Sequence, residues 1–327
     1  MGSPEIAKAW IHAGVTGLGD SRIENMATMR HARIAKSMTL IRTPMLSQVD
    51  QVVEISDVSF NTEIEVIRRL STAAKKTNRV HGIVLMVELG DLREGMMPVD
   101  LEKAVRTVLH LPNILFMGIG TNLACRSGVS PDNQNMAELS KLADSIDAVF
   151  GPIVNTVSGG NSANLEWALD GTSTGRINNL RLGESLLLGC EPLHRMPIEG
   201  LHTDAITLIA EVIELKDKPS LPWGTLAQSA FGEVILGRDR GNISQAILAI
   251  GRQDTDPDGL TSPSGLSILA ASSDHLVVDT SCFPTSMKIG TEISFQLDYS
   301  ALLRAMTSPF VSKTMKTPQI KPRAKRI

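Results

Sequence analysis

The chain has few cysteines, no excess of charge over its body and no long apolar run. Its three cysteines form no CxxC pair and leave one over, which predicts a reducing compartment. A formal net charge of −3 over 327 residues carries no nucleic-acid signature. No apolar run approaches the ~20 residues that span a bilayer, and residues 1–9 lack a signal-peptide layout. We therefore expect a cytoplasmic protein that binds neither nucleic acid nor membrane.

Motifs for several common chemistries are also missing. The seven histidines are scattered and form no HxxxH or Cys-His cluster, so no metal site is predicted. No GxGxxG follows a predicted strand, and no serine-hydrolase elbow occurs. A zinc enzyme, a dinucleotide enzyme and a serine hydrolase are therefore disfavoured.

Helical and extended patterns alternate over about the first 200 residues, which predicts a parallel sheet with right-handed crossovers. Seven strands are predicted, near Gly17, Thr39, Ile55, Val84, Met117, Val154 and Leu182. The third is expected within residues 52–60, the sixth over 153–157 and the seventh over 180–188. A closed barrel of this type has eight strands, and residues 3–13 already form a helix. The predicted fold class is therefore α/β, a (β/α)8 TIM-type barrel lacking its first strand.

The pattern changes after about residue 201. Short extended segments at 206–215, 246–251, 266–270, 275–279 and 292–297 alternate with turns rich in Gly, Pro and Asp. No long helix is predicted between them, so they indicate a separate, mostly β domain. We expect the barrel to span residues 1–203, the C-terminal β domain 204–313, and a basic disordered tail 314–327. A weak contact with an anion is the alternative for that tail.

Two glycine-containing turns follow the last two predicted barrel strands. They read SGGNS at residues 158–162 and LRLGE at residues 180–184. Glycine lets backbone N–H groups approach a phosphate, and barrels of this class commonly hold phosphates after strands seven and eight. The turns predict a phosphate-type ligand, with ordinary tight turns as the alternative. Its candidate binding residues are Ser158, Gly160, Asn161, Ser162, Gly183 and Glu184.

Several motifs resemble the alanine racemase superfamily, the fold-type III pyridoxal 5'-phosphate (PLP) enzymes. NSA at 161–163 and LRLG at 180–183 are similar to the family's NSA and VRxG motifs, and ELGDLREG at 88–95 resembles its DTGMxRxG segment. GDSRIEN, AIGRQDTD and SSDH resemble the ornithine racemase-like branch. The likeness runs from residue 2 to about residue 313.

The resemblance implies a homodimeric PLP-dependent amino-acid racemase that interconverts L- and D-amino acids through an external aldimine and a Cα carbanion. It implies that Ser162 and backbone groups at Gly183 and Glu184 hold the phosphate, and that Arg181 faces the pyridine nitrogen. An arginine there leaves the nitrogen unprotonated, so less charge spreads into the ring and the proton returns quickly. Racemisation is therefore favoured over decarboxylation or aldol cleavage. A structural ion pair is the alternative for Arg181.

The resemblance implies further site residues. Asn122 matches a position near the ring, and Arg93 matches an arginine beside the substrate carboxylate or the phenolic oxygen, where forked donors suit an anion. Each has a structural alternative. Asp274 and His275 lie in the β domain, through which a partner subunit completes the family's site, although a role in the turn itself is the alternative. A cationic, ornithine-like substrate follows from the branch likeness alone.

Two departures from the family pattern concern the bases. The family's Schiff-base lysine lies just upstream of a segment that resembles residues 2–5, and neither Lys8 nor Lys36 matches it. We expect either a native protein that starts upstream of Met1 or a non-catalytic PLP-binding pseudoenzyme. Trp223 stands where alanine racemases have a tyrosine base, so the second base is unassigned. Cys125 is a candidate proton carrier, with a buried inert thiol as the alternative.

Overall fold

The computed structural model describes residues 2–232 and 238–316. The chain divides into two compact units between Thr203 and Asp204. Among the described residues, no helix is both long enough and apolar enough to cross a membrane.

The first unit alternates strands and helices. Its strands are β1 (Leu18–Asp20), β2 (Met38–Leu40), β3 (Val58–Asn61), β4 (His81–Met86), β5 (Ile114–Gly120), β6 (Thr156–Gly160) and β7 (Asn179–Leu180). Its helices are α1 (Pro4–His12), α2 (Ile23–His31), α3 (Val49–Ile55), α4 (Ile64–Lys76), α5 (Leu101–Leu109), α6 (Asn133–Phe150), α7 (Leu165–Leu169) and α8 (Glu184–Leu188). Ser3 caps α1 by accepting a hydrogen bond from Ile6 N, and Pro4 takes the first helical position.

The seven strands are parallel and lie in the order β1-β2-β3-β4-β5-β6-β7. Every residue of β4 is buried, as expected for a parallel strand covered on both faces. Most buried apolar side chains of this unit form one core, and Phe60, Val84 and Met86 form a smaller cluster with Met117. The sheet order confirms the predicted α/β barrel architecture.

Three strand boundaries were wrong. Residues 49–55 form α3 because Val49, Val52 and Val53 bury one helical face, so β3 begins only at Val58. The sixth strand runs to Gly160 rather than ending at residue 157. The seventh strand has two residues, and 184–188 turn into α8 because the chain leaves the sheet at Gly183.

The second unit is an antiparallel sheet. Its strands are β8 (Leu208–Pro219), β9 (Asn242–Leu248), β10 (Leu260–Thr261), β11 (Ser267–Ala271), β12 (Leu276–Asp279) and β13 (Glu292–Leu297), in the order β10-β13-β8-β9-β12-β11. The predicted β domain is confirmed. The nine-residue α9 (Tyr299–Thr307), capped by Asp298, follows β13, after the last strand. Of the predicted tail, residues 317–327 lie outside the described residues.

Candidate active site

The carboxyl ends of β5, β6 and β7 bring most of the predicted site residues together. Asn122 follows β5, Asn161 and Ser162 follow β6, and Arg181 follows β7 directly. Because neighbouring parallel strands end at the same edge of a sheet, residues far apart in sequence meet there. This edge is where barrel enzymes build their sites.

Arg181 is the centre of this group. Its Nη1 donates to Ser158 Oγ at 2.6 Å, and its Nη2 donates to the Thr121 carbonyl oxygen at 2.8 Å and to Asn122 Oδ1 at 3.1 Å. The Phe60 ring centre lies 5.2 Å from the guanidinium carbon. Three of the five N–H groups of Arg181 make these contacts, and Nε–H and one Nη1–H have no hydrogen-bond partner among the described residues.

The electrostatic environment of Arg181 is mixed. Burial lowers the pKa of Arg181 to about 10; the charges of Glu94 and Cys125 oppose this fall, while Arg93 adds to it. The guanidinium therefore stays charged at neutral pH. Its hydrogen-bond acceptors are all neutral, which leaves its charge available to a ligand.

Asn161 links two loops. Its Oδ1 accepts from the Ala163 backbone N–H at 2.8 Å, while its Nδ2 donates to Asn122 Oδ1 at 3.0 Å and to the Leu123 carbonyl oxygen at 2.8 Å. The same Nδ2 lies 3.3 Å from Cys125 Sγ. The amide therefore ties the turn after β6 to the loop after β5.

Ser162 follows β6 in sequence, and its side chain contacts the N-terminus of α8. Its Oγ accepts from the backbone N–H groups of Gly183 at 3.3 Å and Ser185 at 3.1 Å, and from Ser185 Oγ at 3.1 Å. Because Ser162 Oγ accepts in all three contacts, its own hydroxyl hydrogen is left as a donor. The Gly183 and Ser185 N–H groups donate to Ser162 in this structure, so the Ser162 hydroxyl hydrogen is the donor that these contacts leave for a phosphate.

The two glycines beside Ser162 differ in their surroundings. Gly160 has φ +150°, and a Cβ there would collide with the Asn164 side chain. Asn164 closes that turn, since its Oδ1 accepts from Asn161 N at 3.1 Å. At Gly183 an added Cβ would meet no atom within 4 Å. The main chain at Gly183 therefore borders open space.

Ser158 lies away from this turn. It is fully buried in β6, where its Oγ accepts from Arg181 and donates to Asn179 Oδ1 at 2.6 Å. The sequence grouped Ser158 with the phosphate residues, but its contacts are with the arginine. The difference arises because β6 extends through Gly160 instead of turning at Ser158.

Arg93 lies on the loop after β4. Its Nη2 donates to Glu94 Oε1 at 2.6 Å, and this hydrogen bond raises the pKa of Arg93. Its side chain is 44% exposed. The buried Asp91 fixes this loop by accepting from the Arg126 and Ser127 backbone N–H groups at 3.0 and 2.9 Å. Arg93 is within electrostatic range of Arg181 and Cys125 but hydrogen-bonds to neither.

The side chains of the remaining candidates contact residues near them in the fold. The Glu184 side chain forms an ion pair with Arg195. In the second unit, Asp274 Oδ1 accepts from Gln253 Nε2 at 2.7 Å, and His275 Nδ1 lies 3.4 Å from Ser272 Oγ in the turn between β11 and β12. Trp223 is 91% exposed. Within residues 2–232 and 238–316, no three His, Cys, Asp or Glu side chains form a group that could hold a metal ion.

Sequence reasoning missed the neutral groups around Arg181. Asn179, Phe60 and the Thr121 carbonyl contact or support the guanidinium, directly or through Ser158. Asn and Thr are too common near strand ends to give a signal by themselves. Once the seven strands are placed in order, however, the position of Asn179 two residues before Arg181 puts it beside β6.

The chain is similar to proteins of known activity. The family model described as "Alanine racemase, N-terminal domain" matches residues 1–192. The ornithine racemase of Acetoanaerobium sticklandii is 41% identical over 313 residues, covering 95% of this chain and 88% of that protein. The lysine racemase of Thermotoga maritima is 36% identical over 314 residues, covering 96% and 88%.

Two solved structures have a similar fold. The D-threonine aldolase of Filomicrobium marinum has a TM-score of 0.70 at 15% identity, covering 92% of this chain and 78% of that one. The alanine racemase of Streptomyces coelicolor A3(2) has a TM-score of 0.68 at 16% identity, covering 89% and 77%. These two likenesses concern the fold alone. The family match and the two relatives at 41% and 36% identity show that the chain belongs to the alanine racemase family.

Proposed function

We propose that this protein is a PLP-dependent racemase of a diamino acid and that its barrel unit, residues 1–203, holds the cofactor. The single observation that carries the proposal is Arg181, a charged group held by neutral acceptors with its Nε–H left available. Similarity to an ornithine racemase and a lysine racemase supports the substrate class. No comparison supports the non-catalytic alternative.

The donor set beside Gly183 fits the phosphate of PLP. The Ser162 hydroxyl hydrogen has no acceptor among its contacts, and the space beside Gly183 is open. We assign phosphate binding to Ser162 and to the main chain at Gly183 and Glu184. Gly160 and Asn161 shape the neighbouring turn through Asn164.

Arg181 fits the pyridine nitrogen, because a guanidinium can donate a hydrogen bond but cannot accept one. Bound PLP withdraws electrons from the amino acid's Cα and makes its proton acidic. By donating to the pyridine nitrogen, Arg181 would keep that nitrogen unprotonated and limit how much charge the ring accepts. Asn122 orients Arg181 by accepting from its Nη2. With Arg181 held in this way, bound PLP would favour return of the proton to Cα.

Arg93 is the candidate for the α-carboxylate of the substrate. It is half-exposed and lies within electrostatic range of Arg181, although its present partner is Glu94. A substrate carboxylate competes with Glu94 for the forked donors of Arg93. Glu94, once displaced, is an acid near the site for the second amino group of ornithine or lysine.

Cys125 is the candidate proton carrier on the loop after β5. Its charge raises the pKa of both Arg93 and Arg181, so the thiol lies near the two cations. Homodimer formation and a cytoplasmic location are parts of the same proposal and follow from the family resemblance and the cysteine content.

Chiral chromatography of amino acids incubated with PLP and the protein isolated from its native source tests the proposal. We expect both enantiomers from L-ornithine or L-lysine, and slower conversion of L-alanine. Equilibrium dialysis measures PLP binding separately. Faster turnover of alanine than of either diamino acid would reject the substrate class. PLP binding without any racemisation would favour the pseudoenzyme, and absence of PLP binding would reject the cofactor.

A further inference from the structure

A directed hydrogen-bond chain runs from Arg181 through Ser158 to Asn179. Arg181 Nη1 donates to Ser158 Oγ, and Ser158 Oγ donates to Asn179 Oδ1, both at 2.6 Å. A guanidinium has only donors, so the serine must accept from it. The single hydroxyl hydrogen of Ser158 must then point elsewhere, and the carbonyl oxygen of Asn179 receives it.

Pairing of β6 with β7 holds these hydrogen bonds in place. Ser158 and Asn179 are register partners on β6 and β7, and Ser158 is fully buried. On the other side of the guanidinium, Asn122 Oδ1 is also fixed as an acceptor, because it receives Asn161 Nδ2 as well as Arg181 Nη2. Both Nη nitrogens therefore make hydrogen bonds, through Ser158 on one side and Asn122 on the other, and these bonds set the plane of the guanidinium and the direction of Nε–H.

We propose that Asn179 is a positioning residue for Arg181: by accepting the Ser158 hydroxyl hydrogen, it keeps Ser158 an acceptor and keeps Arg181 Nε–H free for the pyridine nitrogen of PLP. This inference rests on the proposed function. Without Asn179, the Ser158 hydroxyl rotates, and the guanidinium plane is no longer defined on that side. The pyridine nitrogen then loses a fixed donor and takes up a proton more readily.

The neighbouring Asn178 offers a matched control. It also bridges strands, since its Oδ1 accepts from Val157 N at 2.9 Å and its Nδ2 donates to the Asn155 carbonyl oxygen at 2.8 Å. Both of its partners are main-chain groups, so its loss weakens the sheet without touching Arg181. A merely structural role of Asn179 would make the two asparagine variants behave alike.

The test compares Asn179→Leu, Ser158→Ala, the double variant and Asn178→Leu, each as the full chain loaded with PLP and without substrate. The readout is the pH at which the absorption spectrum of bound PLP changes. We expect Asn179→Leu and Ser158→Ala to raise that midpoint by about one pH unit, the equivalent of one lost hydrogen bond. Affinity for PLP should stay within about threefold, because the phosphate contacts are untouched.

The double variant tells whether Asn179 and Ser158 act through the same series of hydrogen bonds or independently of each other. If Asn179 acts through Ser158, the double variant shifts the midpoint no further than Ser158→Ala does. Asn179→Asp, which keeps an oxygen acceptor, should restore most of the native spectrum. The other charged or titratable groups acting on Arg181 are Arg93, Glu94 and Cys125, which are unchanged in every variant. Comparison of the uncharged variants therefore isolates the asparagine, whereas Asn179→Asp also adds a carboxylate.

Several outcomes overturn the inference. An unchanged midpoint in Asn179→Leu, an equal shift in Asn178→Leu, or additive shifts in the double variant would each reject it while leaving the PLP proposal standing. Failure of the unaltered protein to bind PLP would reject both. If Asn179→Leu does not fold, as judged by circular dichroism, Asn179→Asp and Ser158→Ala take its place in the test. An unchanged pH midpoint in Ser158→Ala would then reject the positioning role of Asn179.

Discussion

Two buried polar networks lie on the same parallel sheet, and they differ in what they leave free. The Arg181 network at the ends of β5–β7 is charged and keeps N–H donors that have no hydrogen-bond partner among the described residues. The second network, on β3 and β4, joins Ser59 Oγ to His81 Nε2 at 2.8 Å and to Asn61 Nδ2 at 3.0 Å. All three of its residues are fully buried.

The atom of the second network that lacks a hydrogen-bond partner is an acceptor. Asn61 Oδ1 is buried and has no hydrogen-bond partner among the described residues, so no ligand reaches it from solvent. Burial lowers the pKa of His81 to about 4 and keeps it neutral. The comparison suggests a criterion that the variants below test: a buried polar cluster is a candidate ligand site when it retains an unpaired donor and a charge, not merely because it is polar.

Reversing the charge at Arg181, in the first network, should have the largest effect on activity. Arg181→Glu places a carboxylate against three acceptors and protonates the pyridine nitrogen of bound PLP. We expect racemisation to slow by about 10²–10³-fold, the cost of losing one preorganised donor, and transamination-type products to increase. Mass spectrometry of the products checks this, with Arg195→Gln as an exposed control. An unchanged product ratio would remove Arg181 from the pyridine nitrogen.

The second network should respond to acid instead. The folded-state pKa of His81 is about 4 against 6.5 unfolded, so between these values the unfolded chain binds more protons. The stabilisation is therefore complete above pH 6.5 and is lost as the pH falls toward 4. It amounts to about 3 kcal/mol. Urea unfolding at several pH values should show this loss, and His81→Gln should flatten it.

A matched control for His81 is His110→Gln, which alters an exposed histidine at the end of α5. It should leave the pH dependence of the unfolding free energy close to that of the unaltered protein. Equal flattening by both substitutions would mean that the acid sensitivity does not come from the buried network.

The two glycines near Ser162 differ in the space available to a side chain, and alanine substitutions test that difference. Gly160→Ala meets Asn164 at positive φ and should cost about 1–3 kcal/mol of unfolding free energy. Gly183→Ala meets no atom, so stability should hold while PLP affinity falls. Thermal unfolding and equilibrium dialysis measure the two effects. Unchanged PLP affinity in Gly183→Ala would mean that the open space is not the phosphate site.

The smallest expected effect concerns one hydroxyl. Ser162→Ala removes a donor to the phosphate and should weaken PLP binding by about tenfold, as for a hydrogen bond to a charged group. Ser185→Ala is the control, because its Oγ donates to Ser162 and should cost less. Equal losses of PLP affinity in both variants would show that the serines act only on the turn.

Site residues that belong to short sequence motifs were predicted better than those whose role depends on contacts between strands. Asn161, Ser162 and Gly183 stood out because short motifs name them, and Arg181 stood out through its LRLG motif. Ser158 was placed among phosphate residues because a GG pair normally indicates a turn. In the folded sheet those glycines continue β6, since Gly159 packs closely against Ile177. The strand predicted for 52–60 failed because the apolar residues of α3 are β-branched valines, which are common in strands.

Sequence alone determined the alternation of strands and helices, the change to β structure near residue 203, and the motifs that carry the family resemblance. These follow from local periodicity and short-range spacing, which a linear chain displays directly. Only the tertiary structure decided that Ser158 and Asn179 serve Arg181, that Asn161 ties two loops, and that His81 is neutral. Such roles depend on register between strands and on burial, because a side chain's partner and its pKa come from residues 20 to 60 positions away.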